Sequence, residues 1–345
     1  MTARASIVRR LLLSVVSLIL FFGITEITIR LLDINTYSKN QFFTMNRDLD
    51  YPEAFKRDKH LFWRPHPNKE VKSEFFDGRT YSFNSLGLRG NEFSEFKSEP
   101  RLIALGNSCT FGWGVSEDEI FTTYLRRLLD DKYEVINAGV PGYSSFQGRL
   151  FFETEITELK PDILLILFAW NDQWIAANDI PDKNQKLPPQ FILNLQNVLS
   201  GFKTYQLMKK VLLNTFEKNP QFLFDRANPK ARVSLSDFYD NLKSICIEAQ
   251  KIGAIPTLLT SPIPSLEKYY VPSSVSPLHQ NHEKYNQTIR ELARAENIKM
   301  IDLALEFDKN SGLFDDVTYD PVHFNGLGHR IAAHLIVREM ETLTK

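Results

Sequence analysis

A doubly wound α/β domain behind a single N-terminal membrane helix is the architecture that this sequence of 345 residues predicts. Three observations carry it. From residue 101 onward short apolar runs alternate with helical patterns, as in a parallel sheet covered on both faces. Polar clusters follow several of those runs, at the carboxyl edge where an open parallel sheet binds ligands. Residues 11–29 form an apolar segment whose only charge is Glu26.

That segment comes first in the chain. Its nineteen residues, at about 1.5 Å each, span roughly the ~30 Å hydrocarbon core of a bilayer. Its later part, Phe22-Gly23-Ile24-Thr25-Glu26, lacks the small-residue pattern of a signal-peptide cleavage site, which favours an uncleaved anchor. Arg4, Arg9 and Arg10 precede it with no acidic residue among the first ten, which predicts a cytoplasmic N-terminus and an extracytoplasmic body.

Residues 33–100 read as a membrane-proximal region with small β elements. Asp77-Gly78, between Phe75-Phe76 and Thr80–Phe83, predicts a hairpin, and Trp63, Pro65 and Pro67 an extended packed segment. Asn84–Gly90 predicts a fixed turn of structural use.

Within residues 101–345 the expected strands are Leu102–Leu105, Tyr133–Ile136, Ile163–Phe168, Ile255–Thr260 and Ile298–Ile301, enough for a flavodoxin-like five-stranded parallel sheet. Ser116 and Glu119 have capping-box spacing ahead of Ile120, Tyr124, Leu125 and Leu128. Phe238, Leu242, Ile245, Ala249 and Ile252 line one helical face that Gly253 ends, and Tyr285, Ile289 and Leu292 repeat the pattern. Asn325 is the expected cap of a last helix with the face Leu327, Ile331 and Leu335. Residues 173–235 exceed what a crossover needs and hold an apolar helical stretch, residues 191–216. They read as an insertion, either a lid or a packing or membrane-proximal docking element.

A net charge of −1 gives no electrostatic reason to expect a nucleic-acid partner. Two cysteines, Cys109 and Cys246, build no disulfide framework and read as buried apolar residues. His279 and His282, or His329 and His334, lack the acidic or thiol partners that would complete a metal site, so neither metal nor cofactor is expected. Arg232 and Trp174 flank the insertion and read as packing residues.

The chemistry gathers behind three strands, at Gly106–Gly114, Asn137–Gly142 and Ala169–Asp172. They offer one serine, glycine backbone and a side-chain amide, a nucleophile with oxyanion donors. Ser108 needs a base, and Asp320-Pro321-Val322-His323 supplies an imidazole with a carboxylate three residues before it, across a turn that lets Asp320 orient one ring nitrogen.

In order along the chain, Gly106-Asn107-Ser108, Gly139, Asn171-Asp172 and Asp320 with His323 resemble the four blocks of the SGNH hydrolases, also called GDSL-type esterases and lipases. The resemblance covers about residues 100–340. It implies Ser108 as nucleophile, His323 as base, Asp320 as its partner, and an oxyanion hole of the Ser108 amide, the Gly139 amide and the Asn171 side chain. Two positions depart from the family pattern: Asn107 stands for its aspartate and Ala169 for its glycine. The anchor and the Asn84–Gly90 turn further resemble membrane-anchored bacterial members, some related to enzymes that move acetyl groups on cell-surface polysaccharides. The expected protein is thus a single-pass esterase of the bacterial cytoplasmic membrane acting outside it on acyl or acetyl esters. Its alternatives are an O-acyltransferase on surface glycans and a non-catalytic glycan-binding protein with a degenerate site.

Overall fold

The computed structural model describes residues 3–36, 53–72, 78–94, 96–176, 179–216, 230–264, 276–315 and 320–343. The chain divides into two compact units, residues 1–59 with 188–221, and residues 60–187 with 222–345.

The first unit is built on α1 (Ala3–Leu31), whose residues 6–31 are long and apolar enough to cross a membrane. With it go the short strand β1 (Phe55–Asp58) and two helices of the insertion, which appear below as α5 and α6.

In the second unit, β2 (Phe62–Pro65) precedes a hairpin of β3 (Lys69–Lys72) and β4 (Thr80–Phe83), antiparallel with Lys72 opposite Thr80. Thr80–Phe83 is a hairpin strand, but its partner is Lys69–Lys72, which sequence did not mark. Phe75, Phe76 and Asp77 lie outside the described residues. The main sheet has five parallel strands: β5 (Arg101–Gly106), β6 (Glu134–Gly139), β7 (Ile163–Leu167), β8 (Ile255–Leu259) and β9 (Lys299–Ile301). Their order is β6-β5-β7-β8-β9, the doubly wound pattern with its switch point beside β5. The register sets Gly106 opposite both Gly139 and Leu167, so three strands end side by side.

Between the strands run α2 (Ser108–Phe111), α3 (Phe121–Leu128), α4 (Ser145–Thr154), α5 (Gln190–Ser200), α6 (Lys203–Phe216), α7 (Leu235–Lys251), α8 (Ser276–Ala295), α9 (Leu303–Asp308) and α10 (Gly326–Leu343). Helix α3 packs on α10 over a core that includes Leu102, Ala104, Leu165 and Leu167, alternate positions of their strands. Helices α4, α7 and α8 form the other layer, with Phe152, Phe238, Leu242, Ile245 and Ile289 buried.

Two elements differ from expectation. Strand β6 runs three residues past Ile136, because the buried Asn137 side chain donates to Thr110 O at 2.9 Å and so is satisfied inside the sheet. Helix α10 turns inward Leu335 and, in part, Ile331 as expected, but also His329, Ala332, Ala333, Ile336 and Met340, while Leu327 stays exposed. His329 replaces an apolar residue there because its Nδ1 accepts the Phe121 amide at 3.3 Å and its ring stacks on Phe121; burial holds its pKa well below the ordinary value. Asn325 caps α10 as expected, accepting the Gly328 amide at 3.1 Å.

Candidate active site

Strand β5 delivers the chain into a turn that only a short, close-packed backbone can make. At Gly106 a Cβ would stand 2.5 Å from Leu167 O, and at Gly139 it would stand 2.2 Å from the Phe111 amide nitrogen. The two glycines let β6, β7 and the loop after β5 touch through main chain. Asn107 caps α2, its Oδ1 accepting the Cys109 amide at 2.9 Å. The carbonyl is the acceptor that the cap requires, while the buried Asn107 Nδ2 has no partner among the described residues. Gly112, in the left-handed region at φ +82°, closes the turn.

Ser108 is therefore the first residue of α2, where its own amide has no intrahelical acceptor. It is buried, with its Oγ 2.8 Å from His323 Nε2. His323 Nδ1 lies 2.7 Å from Asp320 Oδ2, and Asp320 Oδ1 accepts the backbone amides of Val322 and His323 at 3.2 and 3.1 Å. A carboxylate only accepts, so Nδ1 carries the imidazole proton and Nε2 faces the serine hydroxyl as acceptor. Burial pushes the Asp320 carboxyl up, but the imidazole and the two amides outweigh it and hold the pKa below the ordinary value. Trp113 lies 6.1 Å from the His323 ring between centroids, and Cys109 Sγ donates to Val322 O at 3.4 Å, tying the two loops together.

The predicted oxyanion donors are placed differently from one another. Asn171 Nδ2 spends one hydrogen on Tyr143 O at 3.1 Å and keeps a second. The Gly139 amide, by contrast, donates to Asn137 Oδ1 at 2.9 Å, so Gly139 serves close packing and its donor is occupied. Three residues on, Gly142 sits at φ +82° in the loop after β6, and among the described residues its amide has no acceptor. The Pro141-Gly142 dipeptide after a strand was the available signal.

Ala169 holds φ +141°, a conformation that L side chains rarely adopt. The departure from glycine therefore stores strain at the turn that aims Asn171. Ala169→Gly is expected to stabilise the protein by about 1 kcal/mol, since ~1–3 kcal/mol of relieved strain outweighs ~0.4–1 kcal/mol of added unfolded-state entropy. Urea denaturation of the two proteins checks this.

Two arginines outside the predicted set fix the loops. Arg89, from the Asn84–Gly90 turn, is buried, and among the described residues no carboxylate bonds it; its guanidinium donates to Phe111 O at 2.7 Å and Val115 O at 2.8 Å and lies 4.3 Å from the Tyr81 ring centroid. Burial lowers its pKa to about 10. Arg232, read from sequence as surface packing, is buried too. It makes a two-pronged pair with Asp182, through Nε to Oδ1 at 3.1 Å and Nη2 to Oδ2 at 2.8 Å, and its Nη1 donates to Gly142 O at 2.8 Å. Ser144 Oγ donates to the same Asp182, and Trp63 Nε1 to Pro141 O at 3.0 Å, so the Pro141–Ser144 loop is held from several sides. Arg232→Lys keeps the charge and loses the fork. It is expected to lower kcat about 10²-fold with KM little changed, the cost of misaimed donors, in steady-state hydrolysis of a soluble ester.

Asp172 is fully buried, accepting the Ser145 amide on Oδ1 at 2.8 Å while its Oδ2 has no partner among the described residues. Burial raises its pKa to about 6, against the lowering by Ser145 and Arg232. A carboxyl that holds its proton more tightly when folded makes stability fall as pH rises from the unfolded value, about 4, to the folded one, about 6. Asp172→Asn is expected to flatten that fall, on the order of 3 kcal/mol, in denaturation curves taken at several pH values.

Of the other polar candidates, His282 is a satisfied core residue: Nε2 donates to Ser261 O at 2.9 Å, Nδ1 accepts from Gln173 at 3.0 Å, and the ring stacks on Trp170. Both cysteines are buried and free.

Among solved structures the chain is similar to the lipase/acylhydrolase from Enterococcus faecalis, with 20% identity and a TM-score of 0.46 over 70% of this chain and 96% of that one. It is likewise similar to the acetylxylan esterase Axe2 from Geobacillus stearothermophilus, with 17% identity and a TM-score of 0.45 over 71% and 96%. No curated protein matches the chain. The model of the GDSL-like lipase/acylhydrolase family matches residues 104–331, a span that opens in the strand before Ser108 and closes in the helix after His323. That match takes in most of the sequence and all four of its polar blocks, and the chain belongs to the GDSL-like lipase/acylhydrolase family as a hydrolase of ester bonds.

Proposed function

We propose that the protein is a membrane-anchored, extracytoplasmic serine esterase that cleaves O-acyl or acetyl esters through an acyl-enzyme on Ser108. The observation that carries this is the unbroken chain of hydrogen bonds from Ser108 Oγ through His323 to Asp320. As Oγ attacks the ester carbonyl carbon, its proton passes to His323 Nε2, and the carboxylate of Asp320 stabilises the imidazolium. The carbonyl oxygen becomes an oxyanion, met by the Ser108 amide, the free hydrogen of Asn171 Nδ2 and the Gly142 amide, which we assign in place of Gly139. Collapse breaks the ester bond, and the leaving alcohol takes the proton from Nε2. Water, deprotonated by His323, then attacks the acyl carbon, releasing the acid and restoring the serine. A sugar hydroxyl in the place of water makes the same site an O-acyltransferase on cell-surface polysaccharide.

Neither departure from the family pattern removes a part of this machinery, since Asn107 caps α2 through a carbonyl and Ala169 reaches its turn at the cost of strain. A fluorophosphonate probe on the full chain tests the reading: labelling of wild type and none of Ser108→Ala is expected. Equal labelling would sink it and leave the non-catalytic alternative. Product analysis with a short-chain ester and a polysaccharide acceptor then separates hydrolysis from transfer. For the anchor, the arginines before residue 11 support an N-terminus in the cytoplasm. A C-terminal reporter enzyme that works only outside the cytoplasm should be active; an inactive fusion reverses the topology.

A further inference from the structure

The insertion helices α5 and α6 carry an apolar surface that nothing among the described residues of their own unit covers. On α5 and just beyond it, Phe191, Leu195, Val198 and Phe202 recur at intervals of four, three and four, which at 100° per residue confines them to one narrow stripe. All four are exposed, from 49% to 69%, while Leu193 and Ser200 on the opposite face are buried. Helix α6 repeats the arrangement, with Met208, Val211 and Leu212 exposed opposite the buried Gln206. An amphipathic helix normally turns such a stripe inward; these two turn it out.

Their attachment says where the stripe lies. Glu26, the one charge in the apolar stretch of α1, accepts the backbone amides of Lys203 and Thr204 at 3.0 and 2.7 Å and the Thr204 hydroxyl at 2.9 Å. It thus caps the N-terminus of α6, which explains a carboxylate in a span that otherwise excludes charge. Thr36 Oγ1 donates to Gln206 Oε1 at 2.6 Å, and Lys210 Nζ to Asn35 O at 2.9 Å. The pair of helices is therefore fastened to the carboxyl end of α1, the end that a cytoplasmic N-terminus sets at the outer headgroup level. Helix α1 itself carries exposed apolar side chains, among them Leu18, Phe22 and Ile27.

We infer that α5 and α6 lie in the outer leaflet of the lipid bilayer, with the Phe191–Leu195–Val198–Phe202 stripe among the acyl chains and the cations of Lys203, Lys209 and Lys210 at the headgroups. This rests on the anchored reading above. The partner is lipid, because the helices are fastened to the carboxyl end of a helix that lipid itself covers and because basic residues beside an apolar stripe suit anionic headgroups. On this reading the helical part of the insertion is a second foothold on the membrane.

Single nitroxide labels on the full chain, reconstituted in phosphatidylethanolamine–phosphatidylglycerol vesicles, test it through collisions with oxygen, which dissolves in lipid, and with a nickel chelate, which stays in water. Labels at Leu195→Cys and Val198→Cys are expected to favour oxygen and to report a depth of roughly 5–10 Å below the headgroups. Leu18→Cys is the lipid reference and Asp131→Cys the aqueous one. Labels at 195 and 198 that match Asp131 overturn the inference, and so does shielding from both reagents, which means that a protein covers the stripe. An aqueous reading at Leu18 overturns the anchor itself, and with it this proposal, so the two failures are distinguishable. Retained ester hydrolysis in each labelled variant shows that the fold is intact.

Discussion

His323→Ala is expected to lower kcat for ester hydrolysis by about 10⁴–10⁶-fold while leaving the denaturation midpoint close to wild type. The imidazole accepts from the serine at 2.8 Å and donates to Asp320 at 2.7 Å, so one substitution removes both the base and the link to its partner. Ser108→Ala should cost about as much, and the double variant little more, because members of one proton-transfer chain fail as a unit. Asp320→Asn should cost less, about 10³–10⁴-fold, since its side chain is 43% exposed and water replaces part of its charge, but the Nδ1 proton loses its acceptor. Steady-state kinetics on the three single variants and the double checks the pattern. Full additivity would show that Ser108 and His323 do not act on the same proton.

Gly139→Ala is expected to abolish the folded state at 37 °C, a loss of more than about 4 kcal/mol. The added methyl would meet Phe111 N at 2.2 Å, Thr110 C at 2.7 Å and Phe111 Cα at 2.8 Å, all of them backbone. Such neighbours do not move aside as a side-chain tip would, because they belong to the helix that begins with Ser108. The family resemblance alone makes Gly139 an oxyanion donor, which predicts a folded enzyme of normal stability, since alanine keeps the amide. Thermal denaturation of the variant decides between the two. A cooperative melt near the wild-type temperature would return Gly139 to the oxyanion role.

The main sheet was legible because each strand is a short apolar run ended by a glycine, a polar cluster or a proline, signals confined to a few adjacent residues. Ser108, His323 and Asp320 were legible for a similar reason: a serine after a strand and an Asp-x-x-His turn are local patterns, and only their meeting is long-range. What sequence could not supply were partners chosen by the fold. Arg232 meets Asp182 fifty residues away and Gly142 ninety residues away, and no local rule marks an arginine for burial. Gly139 and Gly142 are alike as letters; they differ because Asn137 reaches the amide of one. The α10 face is broader than its apolar letters: Ile331 and Leu335 reach the core as expected, but burial there also goes to two alanines and an uncharged histidine, which count for little in an apolar pattern.

The base of the insertion holds a last consequence. Val233 N donates to Asp172 O at 3.0 Å, Arg232 N to Trp174 O at 2.7 Å and Ala176 N to Lys230 O at 2.8 Å. The chain thus leaves the second unit and re-enters it through this ladder of backbone bonds, and Asp182 and Arg232, which hold the Pro141–Ser144 loop, lie beside it. An excursion whose two ends are bonded to each other closes at an entropic cost that grows only slowly with its length. The helices between residues 188 and 221 are in that sense a cartridge, and their replacement by a short linker is expected to leave the hydrogen bonds among Ser108, His323 and Asp320 in place.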